Sequence, residues 1–302
     1  MTDTHPSHRA PTIGDPSALV KLGDRVWVLP DTHRTPHVPN VGIIVGTRAT
    51  LIVDSGLGAA NADRVFTAVR SLTEHDRVYL TQTHFHPEHG YGAQRLQDRV
   101  LIAYNAAQFR ELLDKGQMFL EMFRGFSDDM ARALEDVRFV APDFLYEGSL
   151  QIDLGGTTVE LREHGPAHTR GDQSVFVPDG RILFTGDLVE ERFFPILPDE
   201  DATMTGWIDA LEQLEQLAPS VVVPGHGAIG DADLLSGYRA ALAGWLDRAR
   251  SLDRDGADHD AIESALTEEI LSEHPDWDNR DWVATMIRKC LEVTPNGERA
   301  AV

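Results

Sequence analysis

Four potential metal ligands lie within six consecutive residues in the first third of the chain. They are His84, His86, Glu88 and His89. Neutral imidazole nitrogens and carboxylate oxygens are ligands that zinc and iron(II) accept in proteins. So dense a group suits neither a helix face nor a strand face, and it directly follows the short apolar run Val78–Thr81. The pattern therefore predicts a metal-binding loop at the end of a strand.

Three further ligand types occur downstream, each close to the end of a predicted strand. They are His168, Asp187 and His226. A lone His or Asp at a strand end is more often a turn or capping residue, so each position is weak by itself. Together with the His84 loop they supply seven donors, enough for two metal ions. Because Cys290 is the only cysteine, such a site must be built from nitrogen and oxygen ligands.

The elements that would position these donors form two groups of predicted strands with helices between and after them. The strands are expected near 25–29, 39–46, 50–54, 78–81 and 100–103, and then near 150–154, 158–161, 174–177, 181–184 and 220–223. The helices are expected near 62–72, 105–136, 205–217, 231–252, 258–273 and 279–292. This order predicts an α/β (α+β) protein in which two sheets pack together with helices outside.

The chain divides into three predicted parts. Residues 1–18 are polar and rich in proline, and are expected to form a flexible arm. Residues 19–230 form the main domain, which includes a helical insertion at 105–147. Residues 231–302 form a helical extension packed on the same domain. The apolar Met and Phe residues at 105–126 either cover the substrate as a lid or pack the segment against the sandwich.

The seven donors carry a family resemblance. The order His-x-His-x-acid-His, a single His, Gly-Asp and Gly-His-Gly resembles the metallo-β-lactamase fold superfamily of metallohydrolases. The resemblance extends to Val53-Asp54-Ser55-Gly56 and implies an αββα sandwich of two mixed β-sheets. It also implies two divalent ions, Zn²⁺ first, with Fe or Mn as alternatives.

The same resemblance implies a role for each donor. Site one would consist of His84, His86 and His168, and site two of Glu88, His89 and His226, with Asp187 bridging the two ions. Glu88 departs from the family pattern, in which this position is usually Asp. Glu88 is therefore either a ligand of site two or a base beside a single ion, and Glu88 and Asp187 are the candidate catalytic residues.

The other polar residues near the motifs are not predicted to bind a metal ion directly. Asp54 either hydrogen-bonds to a ligating histidine or caps the helix near 62–72. His164 lies near the site in sequence but also suits a strand end. The remaining histidines are expected at the surface; they are His5, His8, His33, His37, His75, His259 and His274.

The predicted function is that of a metal-dependent hydrolase in which a metal-bound hydroxide attacks a small thioester, lactone, ester or amide. The alternative is a mononuclear iron enzyme resembling the persulfide dioxygenases. A non-catalytic binding module is disfavoured because all seven donors are present. We expect a small-molecule substrate and no nucleic-acid partner, since the net charge is -22. Without an export signal or a long apolar segment, the sequence predicts a cytoplasmic protein that does not bind membranes.

Overall fold

The computed structural model describes residues 10–31, 33–198 and 200–292. Within these residues, the first sheet has seven strands: β1 (Val20–Gly23), β2 (Val26–Leu29), β3 (Val41–Val45), β4 (Thr50–Val53), β5 (Val78–Thr81), β6 (Leu101–Asn105) and β7 (Phe144–Tyr146). The second has five: β8 (Ser149–Asp153), β9 (Thr158–Gly165), β10 (Asp172–Val177), β11 (Ile182–Gly186) and β12 (Val221–Pro224). Both sheets are mixed, with parallel pairing from β4 to β7 and between β11 and β12.

Helices cover the outer faces of both sheets. They are α1 (Gly58–Leu72), α2 (Pro87–Gly90), α3 (Ala93–Leu96), α4 (Ala106–Arg124), α5 (Asp128–Ala133), α6 (Met204–Glu215), α7 (Ala232–Arg254), α8 (His259–Glu273) and α9 (Val283–Leu291). One apolar cluster joins the first sheet to α1, α4 and α5, and another joins the second sheet to α6–α9. A third fills the space between the sheets. These layers form an αββα sandwich followed by C-terminal helices, and the predicted fold class is confirmed.

The central strands explain why the sandwich forms. Every residue of β4 is buried, and β3 is buried except for Val45. Such strands contact apolar residues on both faces and therefore read as continuous apolar runs rather than alternating patterns. Two edge strands, β1 and β7, are absent from the sequence-based prediction. Both are short and contain no buried residue, so neither shows the alternation that identifies a half-buried strand.

Residues 10–18, part of the predicted arm, contact the main domain. Ile13 is only 1% exposed and lies in the core cluster of the first sheet. Its backbone N–H donates to Asn61 Oδ1 at 2.9 Å, and the Asn61 amide donates to the carbonyl of Pro11. A single isoleucine in a polar, proline-rich stretch thus holds residues 10–18 against α1. Residues 1–9 lie outside the described residues.

The predicted helical segment 105–136 divides into α4 and α5. The break lies at Gly125–Ser127, where the Ser127 side chain accepts from Met130 N and so caps α5. No helix in the described ranges is both long enough and apolar enough to cross a membrane.

Candidate metal centre

The His84 loop leaves the first sheet at the end of β5. Phe85 is fully buried and packs edge-on against Phe119 of α4, with ring centroids 5.0 Å apart. His84 and His86, on either side of Phe85 in the chain, both belong to the first group of donors. Pro87 then occupies the first position of α2, where its fixed φ is favourable. The loop is therefore anchored by an apolar ring while it presents its histidines to the interior of the site.

The first group of donors contains His84, His86, His168 and Asp187, whose ligand atoms all lie within 4.8 Å of one another. His168 Nε2 is 3.1 Å from His86 Nδ1 and 3.6 Å from Asp187 Oδ2, and His84 Nε2 is also 3.6 Å from Asp187 Oδ2. Bonds of about 2.0–2.1 Å from a tetrahedral zinc ion place its ligand atoms roughly 3.3–3.4 Å apart. The spacing of this group thus fits a tetrahedral ion.

The second group contains Glu88, His89 and His226, again with ligand atoms within 4.8 Å of one another. His89 Nε2 lies 3.2 Å and His226 Nε2 lies 3.6 Å from Asp187 Oδ1. Asp187 therefore directs Oδ2 toward the first group and Oδ1 toward the second. This arrangement is compatible with a carboxylate that bridges two ions. The structure brings together all seven predicted donors, and their role as ligands stays a prediction.

The close approach of β11 and β12 brings Asp187 beside His226. The two strands are parallel neighbours, so the segments after them leave the sheet at the same edge. A Cβ on Gly225 would overlap Asp187 Oδ1 and crowd the backbone of Gly186. Glycine is therefore required immediately before His226.

The contacts of Asp54 distinguish its two predicted roles, hydrogen bonding to a histidine or capping α1. Its Oδ2 lies 2.8 Å from His89 Nδ1, and its Oδ1 accepts from Thr83 N at 2.7 Å. The N-terminus of α1 has no side-chain cap. Asp54 thus orients His89 rather than capping the helix, and it leaves His89 Nε2 for the second group of donors.

The charge states of the donors suit cation binding. Burial, together with His168, lowers the pKa of His86 to about 3, and burial lowers the pKa of His84 well below its usual range. Both rings are therefore neutral at pH 7. Burial acts to raise the pKa of Glu88, but His37 and the neighbouring histidines outweigh it and lower this pKa to about 2. Glu88 is therefore an anion.

His89 differs from the other rings. Burial acts to lower its pKa, but Asp187 and Asp54 outweigh this effect and raise the pKa well above its usual range. In the metal-free protein His89 is consequently protonated between two carboxylates. A cation bound at Nε2 would have to displace this proton, as metal binding to histidine generally requires.

Several buried polar atoms of the site have no hydrogen-bond partner. They are His84 Nε2, His86 Nε2, Glu88 Oε2 and Glu190 Oε2, while His89 Nε2 and Asp187 Oδ1 form an ion pair at 3.2 Å without hydrogen-bond geometry. Leaving a buried polar group unsatisfied costs about 1–3 kcal/mol, and more if the group is charged. Such a concentration of unpaired donor and acceptor atoms fits a site that is completed by cations.

The sequence-based prediction did not place two further residues, Glu190 and His37, at the site. Glu190 is buried beside Asp187 and His226. His37, expected at the surface, is half-buried: its Nδ1 lies 3.7 Å from Glu88 Oε1, and its ring stacks on Phe126 with centroids 5.4 Å apart. The only signal for Glu190 was an acidic residue three positions after Asp187. Nothing in the sequence near His37 indicated its contact with the site.

The other histidines lie apart from the donor groups. His164 hydrogen-bonds to Ser174, with 2.7 Å between Nε2 and Oγ, and belongs to neither group. Histidines 33 and 259 are exposed as expected, whereas 75 and 274 are half-buried. His274 packs against Trp277, with ring centroids 4.5 Å apart. Histidines 5 and 8 lie outside the described residues.

Helix α4 forms an apolar wall beside the site. Phe119 stacks on the His86 ring, with centroids 4.9 Å apart, and Phe123 contacts the ring of His37 edge-on. Both phenylalanines are buried in the core cluster of the first sheet, which agrees with packing rather than a detached lid. Met118 and Met122 remain exposed on the same helix.

The fold and the two donor groups define a class of protein. A family model described as the metallo-beta-lactamase superfamily matches residues 34–226, and the chain belongs to this superfamily. The match includes the His84 loop, the other three donors and every strand from β3 to β12.

Individual relatives are distant. The chain is 25% identical over 224 residues to a metallo-beta-lactamase type 2 of Bacillus sp. (strain 170), covering 72% of this chain and 79% of the relative. It is 24% identical over 227 residues to the acyl-coenzyme A thioesterase MBLAC2 of Homo sapiens, covering 68% and 79%. A solved metallo-beta-lactamase from Pontibacter korlensis superposes with a TM-score of 0.61 at 21% identity, covering 74% of this chain and 98% of that one.

Proposed function

We propose that this protein is a metal-dependent hydrolase of a small acyl compound: a thioester, lactone, ester or amide. One observation carries the proposal. Seven buried donors converge in two groups that share Asp187, and their ligand atoms include several that no protein group satisfies. The names of two relatives describe a β-lactamase and an acyl-coenzyme A thioesterase, which supports an acyl substrate.

Each of the seven donors has a proposed role in holding one or both ions. Three imidazoles, those of His84, His86 and His168, would hold the first ion, and Glu88, His89 and His226 would hold the second. Asp187 offers one carboxylate oxygen to each group. Two bound divalent ions supply Lewis acidity toward a substrate oxygen and a water molecule of lowered pKa.

The surroundings of the donors serve binding. Phe119 and Phe123 pack against the rings of His86 and His37 and keep water from one side of the site. Glu88 carries a negative charge beside the half-exposed His37, so the mouth of the site offers both a polar and an apolar contact.

The mononuclear dioxygenase alternative is not favoured. A single ion in the first group would leave Glu88, His89 and His226 without a partner for their converging ligand atoms. The relatives described above are named as a lactamase and a thioesterase. Oxygen consumption with about one iron per chain would reverse this choice.

The first test measures metal content and hydrolysis together. Protein purified without chelators is expected to contain about two divalent ions per chain and to hydrolyse at least one member of a panel of acyl-coenzyme A thioesters, lactones, esters and amides. His84→Ala and His168→Ala should each lose the ion of the first group and nearly all turnover, because each removes a direct ligand.

His259→Ala is the matched control for these variants, since its side chain is 58% exposed and pairs with Asp253 away from the donor groups. It should keep the parent metal content and rate. Full metal content and full rate in either His84→Ala or His168→Ala would contradict the proposed site.

A further inference from the structure

A third carboxylate faces the second group of donors. Glu190 follows β11 by four residues and is only 3% exposed. Its ligand oxygen lies within 4.8 Å of those of Asp187 and His226, and Oε2 has no hydrogen-bond partner. A buried, unpaired carboxylate oxygen beside two other donors points to a ligand that the protein itself does not provide.

The neighbours of Glu190 do not compensate for its burial. The Tyr238 hydroxyl, contributed by α7, interacts with its carboxyl group, although neither this hydroxyl nor Oε2 makes a hydrogen bond of standard geometry. Burial raises the pKa of Glu190 well above its usual range, and the carboxylates of Asp187 and Glu88 raise it further. The carboxyl groups of Glu88, Asp187 and Glu190 therefore act on one another, and His89 offsets part of their charge.

We propose that Glu190 is a further ligand of the second metal site. With Glu190, this site contains three carboxylates and two imidazoles, whereas the first group contains three imidazoles and one carboxylate. Oxygen-rich donor sets of up to six ligands suit ions such as Mn²⁺, and imidazole-rich tetrahedral sets suit Zn²⁺. The second site is thus the one suited to a hard divalent ion, and the two sites differ in kind.

The position of Glu88 supports an additional ligand. Its Oε1 faces His37, so Oε2 is the atom left for the site. Glu190 lies beside Asp187 in the segment after β11 of the second sheet. Glu88 belongs to α2, which follows β5 of the first sheet. The two glutamates thus reach the His226 side of the centre from different elements. This inference rests on the proposed metal-dependent function.

The experiment measures binding of Mn²⁺ itself. Metal-free protein is given one equivalent of Zn²⁺ and is then titrated with Mn²⁺, with free Mn²⁺ followed by its electron paramagnetic resonance signal. The parent should bind about one Mn²⁺ per chain. Glu190→Gln should bind it at least about tenfold more weakly, since even loss of an indirect partner of a ligand costs 10–100-fold in affinity.

Two further variants separate ligand loss from damage to the fold. Glu191→Gln makes the same chemical change one position along, in a side chain paired with Arg192, and should match the parent. Glu190→Asp keeps the charge and shortens the reach, and should lose less affinity than Glu190→Gln. Retention of the Zn²⁺ equivalent by each variant shows that the first group of donors is intact.

The outcomes distinguish the two proposals. Mn²⁺ affinity in Glu190→Gln within about twofold of the parent would overturn the role of Glu190. A parent that binds Zn²⁺ but no Mn²⁺ would overturn it as well. A parent that binds neither ion would refute the metal-dependent function itself.

Discussion

Three of the predicted ligand histidines are held in place through their second ring nitrogen. His89 Nδ1 lies 2.8 Å from Asp54 Oδ2. His168 Nδ1 and His226 Nδ1 each lie 2.9 Å from a backbone carbonyl oxygen, that of Ile196 and Val38 respectively. These contacts select the tautomer in which Nε2 is free to bind a cation and hold each ring in place. Much of the site is therefore organised before any ion binds.

Variants of Glu88 distinguish its two predicted roles, metal ligand and general base, by their metal content. Its free oxygen, Oε2, favours the ligand role. We expect Glu88→Asp to keep two ions per chain, because charge and donor type are unchanged. Glu88→Gln should lower occupancy of the second site, because a neutral amide oxygen is a weaker donor to a dication. Metal analysis by mass spectrometry checks both.

Glu121→Gln provides the comparison, since that carboxylate is 60% exposed on α4. A different result would support the base interpretation. In that case Glu88→Gln would keep its metal content while turnover fell by roughly 10²–10⁴-fold, as for a lost general base.

Helix α4 is the element that connects the core to the candidate metal centre. Its buried face contributes Leu112, Phe119, Leu120 and Phe123 to the core of the first sheet. Phe119 contacts both Phe85 and His86 of the ligand loop. The helix consequently packs against the ligand loop and also forms one wall of the site.

Phe119→Ala tests this dual role. Removing a buried phenylalanine ring costs about 3–5 kcal/mol. We expect the free energy of unfolding of the metal-free protein to fall by that amount, as measured by urea denaturation. Affinity for the first ion should also fall, because His86 loses the ring that it stacks on.

Met118→Ala is the matched control on the same helix. The Met118 side chain is 59% exposed, so its loss should change stability by no more than about 0.5 kcal/mol. Unchanged metal affinity in Phe119→Ala, measured on folded protein, would show that α4 does not support the loop.

At the scale of the whole molecule, the centre lies where strands of both sheets end. The ligand loop follows β5 in the first sheet, while Asp187 and His226 follow β11 and β12 in the second. Loops held at strand ends by a rigid scaffold are a common location for functional residues. The sandwich thus brings donors from residues 84–226 to one edge.

The net charge of the chain leads to a prediction about partners. With a charge of -22, the protein should repel phosphate backbones. We expect no binding to DNA or RNA at physiological salt in a fluorescence anisotropy titration, with a known nucleic-acid-binding protein as positive control. Micromolar binding that weakens as salt is raised would contradict this expectation and support a nuclease.

Local patterns accounted for most of the elements and for the core of the site. Imidazoles and a carboxylate within one short loop have a chemistry that does not depend on distant residues, so His84, His86 and His89 could be recognised directly. The central strands were recognisable because burial on both faces makes them continuously apolar. Short exposed strands such as β1 carry no such pattern and were missed.

The sequence by itself determined which chemistry is present: seven nitrogen and oxygen donors, no cysteine near them, and strands to hold them. Only the tertiary structure decided which other residues join the centre. Glu190 and His37 become part of it because chain folding places them beside Asp187 and Glu88. Contacts between His37 and Glu88, or between Ile13 and Asn61, join residues far apart in the chain. Such contacts follow from packing of the layers and leave no local trace in the sequence.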